Sequence, residues 1–503
     1  MIGRRSVVFL AFRLVSSLLG FVGLFFMTRY LGSDVYGTIA LTMSLLATFN
    51  LFSDLGFGSA HVKRVSEGQD INDCVSTYAV VKIILTVITV VVTVVALLIW
   101  STYLGGSITG ETGSLILLFL LFNVLYNLSS IATTTYNATM EVFKSQLNGL
   151  VEVCIRIPLV IFVSYNRMGA IPLAYAYVIG ALAVVSTGLF FLHRDKIKFR
   201  RPTLFRSYLK FALPLALISI VGAVAGNMDK LFIGYFDSPT AVGFYSSSQV
   251  FLGIFGLVGA AVATMTFPEF SKLHTYGNMD EIRKLTKQAE RYISMIGMPV
   301  TLIIILFPTE TAKVMLGSNF AAAGEPIRYL AIATMLGLLN QVHSSQILAV
   351  NRPDLSAKLT LLSFMIAAPL LLVFIPASLF GVQLLGLSYT GAAIASMTVA
   401  AIMFVVTRYI VHRLTGTGSN PRILLHVLAA IVAGLVIYSF SGLFPLDGWL
   451  HMIIYGLVSM EAFLLTLWLM REFGRDDMLY FIDLLNVKKL WHYVKGEIKG
   501  NGE

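Results

Sequence analysis

Apolar runs of about twenty residues recur along the whole chain, separated by short polar turns. They cover Val7–Met27, Val35–Phe57, Tyr78–Trp100, Leu115–Thr135, Leu147–Tyr165, Ala170–Leu192 and Leu209–Tyr235. The series continues through Ala241–Phe267, Tyr292–Phe307, Ile327–Val350, Leu359–Ile375, Leu384–Val411, Ile423–Leu443 and Trp449–Met470. Each run except Tyr292–Phe307 is long enough to cross the hydrocarbon core of a bilayer as a helix. Lipid offers no partner to a free N–H or C=O, so helices are the expected form throughout. The pattern predicts an all-α polytopic membrane protein with about fourteen transmembrane helices. The run at Tyr292–Phe307 is the shortest and admits a shift of a turn.

Composition supports lipid as the solvent. Of 503 residues, 57% are hydrophobic and only 12% charged, against about 25% charged in soluble domains. The first apolar run follows Arg4 and Arg5. It is too long for a signal-peptide core and lacks a small-residue cleavage site, so it is expected to stay as a first span. Cys74 and Cys154 make no disulfide framework and no metal-ligand spacing. No metal or cofactor is expected.

Net charge is +10. In a soluble protein this would point to nucleic acid; here its distribution explains it without one. With the N-terminus placed in the cytoplasm, about 28 of the 36 Lys and Arg fall on inside segments. Four fall outside (Arg29, Arg167, Lys313 and Arg328), and Arg13, Lys82, Arg156 and Lys230 lie within spans. The asymmetry predicts a multi-pass cell-membrane protein with both termini cytoplasmic and the Thr109–Gly113 and Pro308–Pro326 loops outside. The basic stretch His193–Lys210 then lies inside, where anionic lipid headgroups would attract it. The tail Arg471–Glu503 alternates Met478, Phe481, Leu484 and Leu485 with Lys488, Lys489 and Lys495, the pattern of an interfacial helix dispensable for the core fold.

The pattern restarts after the basic stretch. Tyr30, Ser33 and Gly37 around the first turn match Tyr235, Ser238 and Gly243 around a later one, with one inserted residue. Met168-Gly169-Ala170 pairs with Thr390-Gly391-Ala392-Ala393, and Pro158 with Pro369. Six spans per copy put both copies into the membrane from the same side, a parallel repeat. The expected organisation is an N-lobe at 1–192, a basic linker at 193–208, a C-lobe at 209–413, two further helices at 414–470 and a surface tail at 471–503.

Several motifs resemble the Wzx-type oligosaccharide and polysaccharide flippases of the multidrug/oligosaccharidyl-lipid/polysaccharide (MOP) exporter superfamily. They are Arg29-Tyr30-Leu31-Gly32 with Tyr36-Gly37; Asp54-Leu55-Gly56-Phe57-Gly58-Ser59-Ala60; Phe267-Pro268-Glu269-Phe270-Ser271; Val314-Met315-Leu316-Gly317-Ser318-Asn319-Phe320; and Thr390-Gly391-Ala392-Ala393-Ile394-Ala395. These residues specify helix ends and turns, and the resemblance covers most of residues 1–413. It implies two six-helix lobes, two extra C-terminal helices, and a cavity between the lobes that opens to each side in turn. It also implies an anionic polyprenyl-linked saccharide as cargo and transport rather than catalysis. Multidrug antiporters share the architecture. A membrane glycosyltransferase or polysaccharide polymerase is the rival from another class, but the short outer loops offer no paired-carboxylate motif. No Walker-type phosphate loop is present, so no ATP engine is expected in this chain. Membrane lipids, a coupling cation or proton, and polysaccharide assembly enzymes are the further partners this reading admits.

Ionisable groups inside spans are costly and mark candidate cavity positions. Arg13 sits too deep in the first span to snorkel easily and is the preferred phosphate contact. Glu152 and Arg156 share one face of the fifth span and neutralise each other. Lys82 is expected to snorkel toward the surface. Asn227, Asp229 and Lys230 follow Gly222 and Gly226, which permit bending, and Asp229 is a candidate for cation or proton coupling. Gln341, His343 and Gln346 make the tenth span polar, as a sugar-facing wall or through interhelical hydrogen bonds. Tyr30, Tyr36, Tyr235 and Tyr245 read as an interfacial aromatic belt.

Overall fold

The fold is taken from a computed structural model. It describes residues 2–103, 110–418, 420–442, 446, 448–475 and 477–479. Helix α1 spans Ile2–Tyr30, α2 Gly32–Phe49, α3 Phe57–Ser66, α4 Ile71–Tyr103, α5 Gly110–Ala138, α6 Val142–Tyr165 and α7 Ala170–Arg194. Then come α8 (Phe205–Ala225), α9 (Met228–Phe236), α10 (Pro239–Thr275), α11 (Met279–Leu306) and α12 (Pro308–Leu316). Helices α13 (Gly324–Ala349), α14 (Pro353–Phe374), α15 (Ser388–Thr415), α16 (Arg422–Ser441) and α17 (Trp449–Leu469) complete the described chain. A minimal antiparallel hairpin before α15 pairs Ser378 with Gln383 and Leu379 with Val382.

Among the described residues, eleven helices are long and apolar enough to cross a membrane. The seventh, eighth and tenth expected spans are helical, on α8 with α9, on α10 and on α13, but are not among those eleven. The seventh divides at Asn227, where φ is −132°. The shortest expected span, Tyr292–Phe307, is extended: α11 begins thirteen residues earlier, with Asn278 accepting a hydrogen bond from the Glu281 N–H as its cap. The segment 308–326, expected as a loop, is instead largely helical, as α12 and a 3₁₀ segment at Ser318–Ala323. Of the expected surface tail, 480–503 lies outside the described residues. Its first part packs inward, with Glu472 and Asp477 bound to Arg291 of α11.

The described chain forms two compact units. The N-unit comprises Val8–Ser246 with Ile375–Gln383; the C-unit comprises the described residues of Met1–Val7, Ser247–Phe374 and Leu384–Glu503. The division falls inside α10, where the sequence repeat placed its lobe boundary at the basic linker.

In the N-unit, Phe57, Val75, Tyr78, Val81, Leu85, Ile131, Tyr208 and Ala212 form a core cluster. Helix α4 shows what solvent surrounds it. Val87, Val91, Val95 and Leu98 point outward, while Thr86, Thr89 and Thr93 are buried and donate to carbonyls one turn back. A soluble helix reverses that arrangement. Small residues bring helices together where lipid supplies no hydrophobic drive. A Cβ on Gly37 of α2 would stand 1.9 Å from the Pro239 carbonyl oxygen, and one on Gly243 would stand 2.5 Å from that of Ser33. The matched glycines of the repeat therefore touch, backbone to backbone, where α2 meets the first turns of α10. That contact buries Tyr36 and Tyr245, so these two leave the expected aromatic belt. Tyr235 is 66% exposed.

The basic linker is strapped to α4. The Lys198 N–H donates to Asn72 Oδ1 at 2.7 Å, the Arg200 N–H to Ser76 Oγ at 2.7 Å and the Leu204 N–H to Thr77 Oγ1 at 3.4 Å. Side chains on one face of the first turns of α4 thus satisfy backbone donors that have no ladder of their own.

In the C-unit, Phe270, Ile282, Ile293, Leu339 and Val342 lie in one cluster, and Met295, Ala429, Ala433, Phe463 and Leu467 seat α16 and α17 against α11.

Candidate functional site

In the N-unit the second span ends in a helix break. A 3₁₀ segment, Asn50–Ser53, follows α2; Leu55 and Gly56 then take positive φ of 46° and 84°, and α3 starts at Phe57. Gly56 meets that conformation without a Cβ penalty. The break exposes carbonyls on one side and amides on the other. Lys82 serves the carbonyl side: its ammonium donates to the Ser53 oxygen at 2.8 Å. Asp54 serves the amide side, accepting from the Gly58 N–H at 3.1 Å. The two charged groups stand 3.8 Å apart, Lys82 with a side chain 4% exposed and Asp54 with one 45% exposed. Lys82 therefore does not snorkel. It lies about 16 Å along α4 from Ile71, with its charge held at a helix C-terminus, where a cation is favoured.

Beside the break, His61 is buried. Its Nδ1 is 2.9 Å from the Tyr208 hydroxyl and its Nε2 2.9 Å from the Thr135 hydroxyl. Its ring stacks on Tyr78 at 4.5 Å. Burial pushes its pKa down to about 4, against a smaller opposing contribution from the Cys74 backbone. Past the end of α7, burial alone would raise the Asp195 carboxyl, but hydrogen bonds from Lys144 and Tyr136 hold it below its ordinary value.

The other N-unit candidates separate. Glu152 and Arg156 pair with each other, with a second contact at 3.4 Å, and the guanidinium lies 4.7 Å from the centre of the Tyr177 ring. Asn227 donates to the Ala223 carbonyl at 3.2 Å across the break between α8 and α9. Asp229 accepts from the Lys230 N–H at 2.8 Å, and both residues are half-buried. Arg13 is exposed on α1.

In the C-unit a polar seam joins α11, α13 and α15. Glu290 accepts from His343 Nε2 at 2.8 Å and is ion-paired with Arg408. One turn further, Gln346 donates to Thr415 at 2.8 Å and Thr417 at 3.0 Å, and accepts from Thr286 at 3.3 Å. His343 and Gln346 thus join helices and form no wet wall; Gln341 alone of the three is exposed. The sequence reading missed Glu290 and Arg408. Arg408 lies inside the expected span Leu384–Val411, a signal the charge count passed over. Glu290 was hidden because the ninth span was drawn too short.

The chain matches the family described as polysaccharide biosynthesis protein over residues 26–325, more than half of its length. It is 23% identical over 405 residues to the probable low-salt glycan biosynthesis flippase Agl15 of Haloferax volcanii, covering 78% of this chain and 80% of that one. It is 21% identical over 357 residues to the probable flippase AglR of the same organism, covering 70% and 73%. Among solved structures it is similar to the lipid II flippase MurJ in an inward closed conformation, with a TM-score of 0.72 and 14% identity, covering 95% of this chain and 100% of MurJ. An inward-facing multidrug resistance MATE family transporter of the MOP superfamily gives a TM-score of 0.63 at 17% identity, covering 80% and 96%. The chain is a multi-pass membrane protein that belongs to the polysaccharide biosynthesis protein family, with a fold like those of MurJ and the MATE family transporter.

Proposed function

We propose that this protein moves an anionic oligosaccharide, linked to a polyprenyl phosphate or diphosphate, across the cell membrane by alternating access. The product would serve cell-surface polysaccharide or glycoconjugate synthesis. The family and the two named flippases support the saccharide, and two units that each hold their own core suit a mechanism of alternating arrangements. Both termini would be cytoplasmic, as the Lys/Arg asymmetry requires.

The observation that carries the cargo's charge is Arg13, an exposed arginine within the first span. A phosphate cannot enter hydrocarbon uncompensated, and a guanidinium grips phosphate oxygens through two parallel hydrogen bonds. Of the four cations, Arg13 is exposed on its helix, whereas the Lys82 side chain is 4% exposed and Arg156 and Lys230 are half-buried. A charge-assisted contact contributes about 1.5–3 kcal/mol. Arg13→Ala should therefore lower export by about tenfold or more at matched membrane abundance, with partial rescue by Arg13→Lys. Surface-glycan output of cells carrying each variant is the measurement. Wild-type output from Arg13→Ala would remove Arg13 from the mechanism.

A further inference from the structure

The cation contacts proposed for the cargo do not use the Glu290–His343–Arg408 cluster. It brings three ionisable side chains from α11, α13 and α15 to one carboxylate oxygen, Glu290 Oε1. The Glu290 and His343 side chains are 2% and 4% exposed. A carboxylate only accepts, so His343 Nε2 carries the hydrogen that it donates to Glu290. In a neutral ring that leaves Nδ1 as a bare lone pair. His343 Nδ1 is buried and, among the described residues, has no hydrogen-bond partner. The Nδ1 lone pair is thus the acceptor on the ring that a proton could take up.

We propose that Glu290, His343 and Arg408 form a proton-binding site whose charging is coupled to the transport cycle. This deepens the transporter reading above and rests on it. The proton adds to the Nδ1 lone pair, and the ring becomes an imidazolium that keeps its Nε2–H bond to Glu290. Arg408 then competes with a second cation for one carboxylate, so protonation weakens its hold on α11 and changes how α11, α13 and α15 pack.

Other charged groups on the helices around His343 have partners elsewhere. On α11, Arg283 binds Asp280 and the Thr415 carbonyl, Lys284 binds Glu281, and Arg291 binds Glu472 and Asp477. On α15, His412 lies against the Thr417 carbonyl and Arg413 against Tyr409. Asp354 of α14 pairs with Arg352, and Arg328 of α13 with Glu325. Lys287 of α11, Lys358 of α14, and Glu310 and Lys313 of α12 form no ion pair with the cluster among the described residues.

The test uses full-length protein with ¹⁵N-labelled histidine in lipid nanodiscs, the His343 resonances being assigned by their loss in His343→Gln. At neutral pH the ring should show a protonated Nε2 and a bare Nδ1. On acidification from about pH 8 to about pH 5, the range in which imidazoles serve as switches, Nδ1 should gain a proton while Nε2 keeps its own. Glu290→Gln should loosen the tautomer preference at neutral pH, because an amide can either accept from Nε2 or donate to it. A proton on Nδ1 at neutral pH, or an Nδ1 that stays bare throughout, overturns the site. Coupling is read from glycan export against external pH, where His343→Gln should flatten the wild-type profile at least about threefold. If His343→Gln exports nothing, Arg408→Lys decides, because it keeps both charge and ring. A displaced profile supports the coupling, and an unchanged one overturns it. Failure of the wild-type protein to export glycan would sink the cargo reading, while the nanodisc titration would still decide the proton site.

Discussion

Lys82 and His61 show how single polar groups are accommodated beside one helix break. The Lys82 ammonium caps the Ser53 carbonyl and stands near a half-exposed Asp54. Lys82→Met should leave that carbonyl unsatisfied at a cost of about 1–3 kcal/mol, read as a lower unfolding temperature in detergent. Asp54→Asn should cost less, because its carboxylate is 45% exposed and remains solvated. Equal losses from both variants would refute this account of the break. His61 predicts a pH effect of definite sign. Its folded pKa, about 4, lies below the ordinary value of 6.5, so the unfolded chain binds more protons between those values. Its contribution to stability is therefore present above pH 6.5 and lost as pH falls toward 4. His61→Gln should make the unfolding temperature less sensitive to acid across that window. An acid sensitivity equal to wild type would exclude His61 as a source.

Helix contacts depend on where glycine sits more than on how many glycines there are. Gly37 and Gly243 admit no Cβ, since the intruding atom would meet backbone oxygens that cannot swing away. Gly149 in α6 meets nothing within 4 Å. Gly37→Ala should consequently reduce folded protein in the membrane severely, whereas Gly149→Ala should be neutral or stabilising by up to about 1 kcal/mol. Yield and unfolding temperature of the purified variants compare the two directly, and comparable behaviour would contradict the backbone contact. The breaks at Asp54–Gly56 and Asn227 belong to the same scale. Each lies within an apolar stretch that hydropathy alone reads as one continuous helix.

For the whole molecule, the orientation proposed from charge can be checked from outside the cell. In a background with Cys74 and Cys154 replaced by serine, a cysteine at Asn319 should react with a membrane-impermeant thiol reagent in intact cells. One at Thr203 in the basic linker should react only after the membrane is opened. Both positions are exposed, so a failure to label would reflect sidedness and not burial. Labelling of Thr203→Cys from outside would invert the topology. The linker's attachment to Asn72, Ser76 and Thr77 also makes it a fixed part of the N-unit rather than a loose tether.

The sequence alone determined the solvent, the helical class and the family resemblance. These follow from span length, charge scarcity and turn motifs, which are local along the chain. It also supplied most of the candidate charges, since an arginine or glutamate in an apolar run is visible without a structure. Which of those charges are already paired was decided only by tertiary structure. Lys82 meets Ser53 across 29 positions and His343 meets Glu290 across 53, and hydropathy carries no record of such partners. The same holds for Tyr36 and Tyr245, read as interfacial from their place at helix ends. They are buried because two glycines far apart in sequence let two backbones touch, and that contact exists only once the helices have packed.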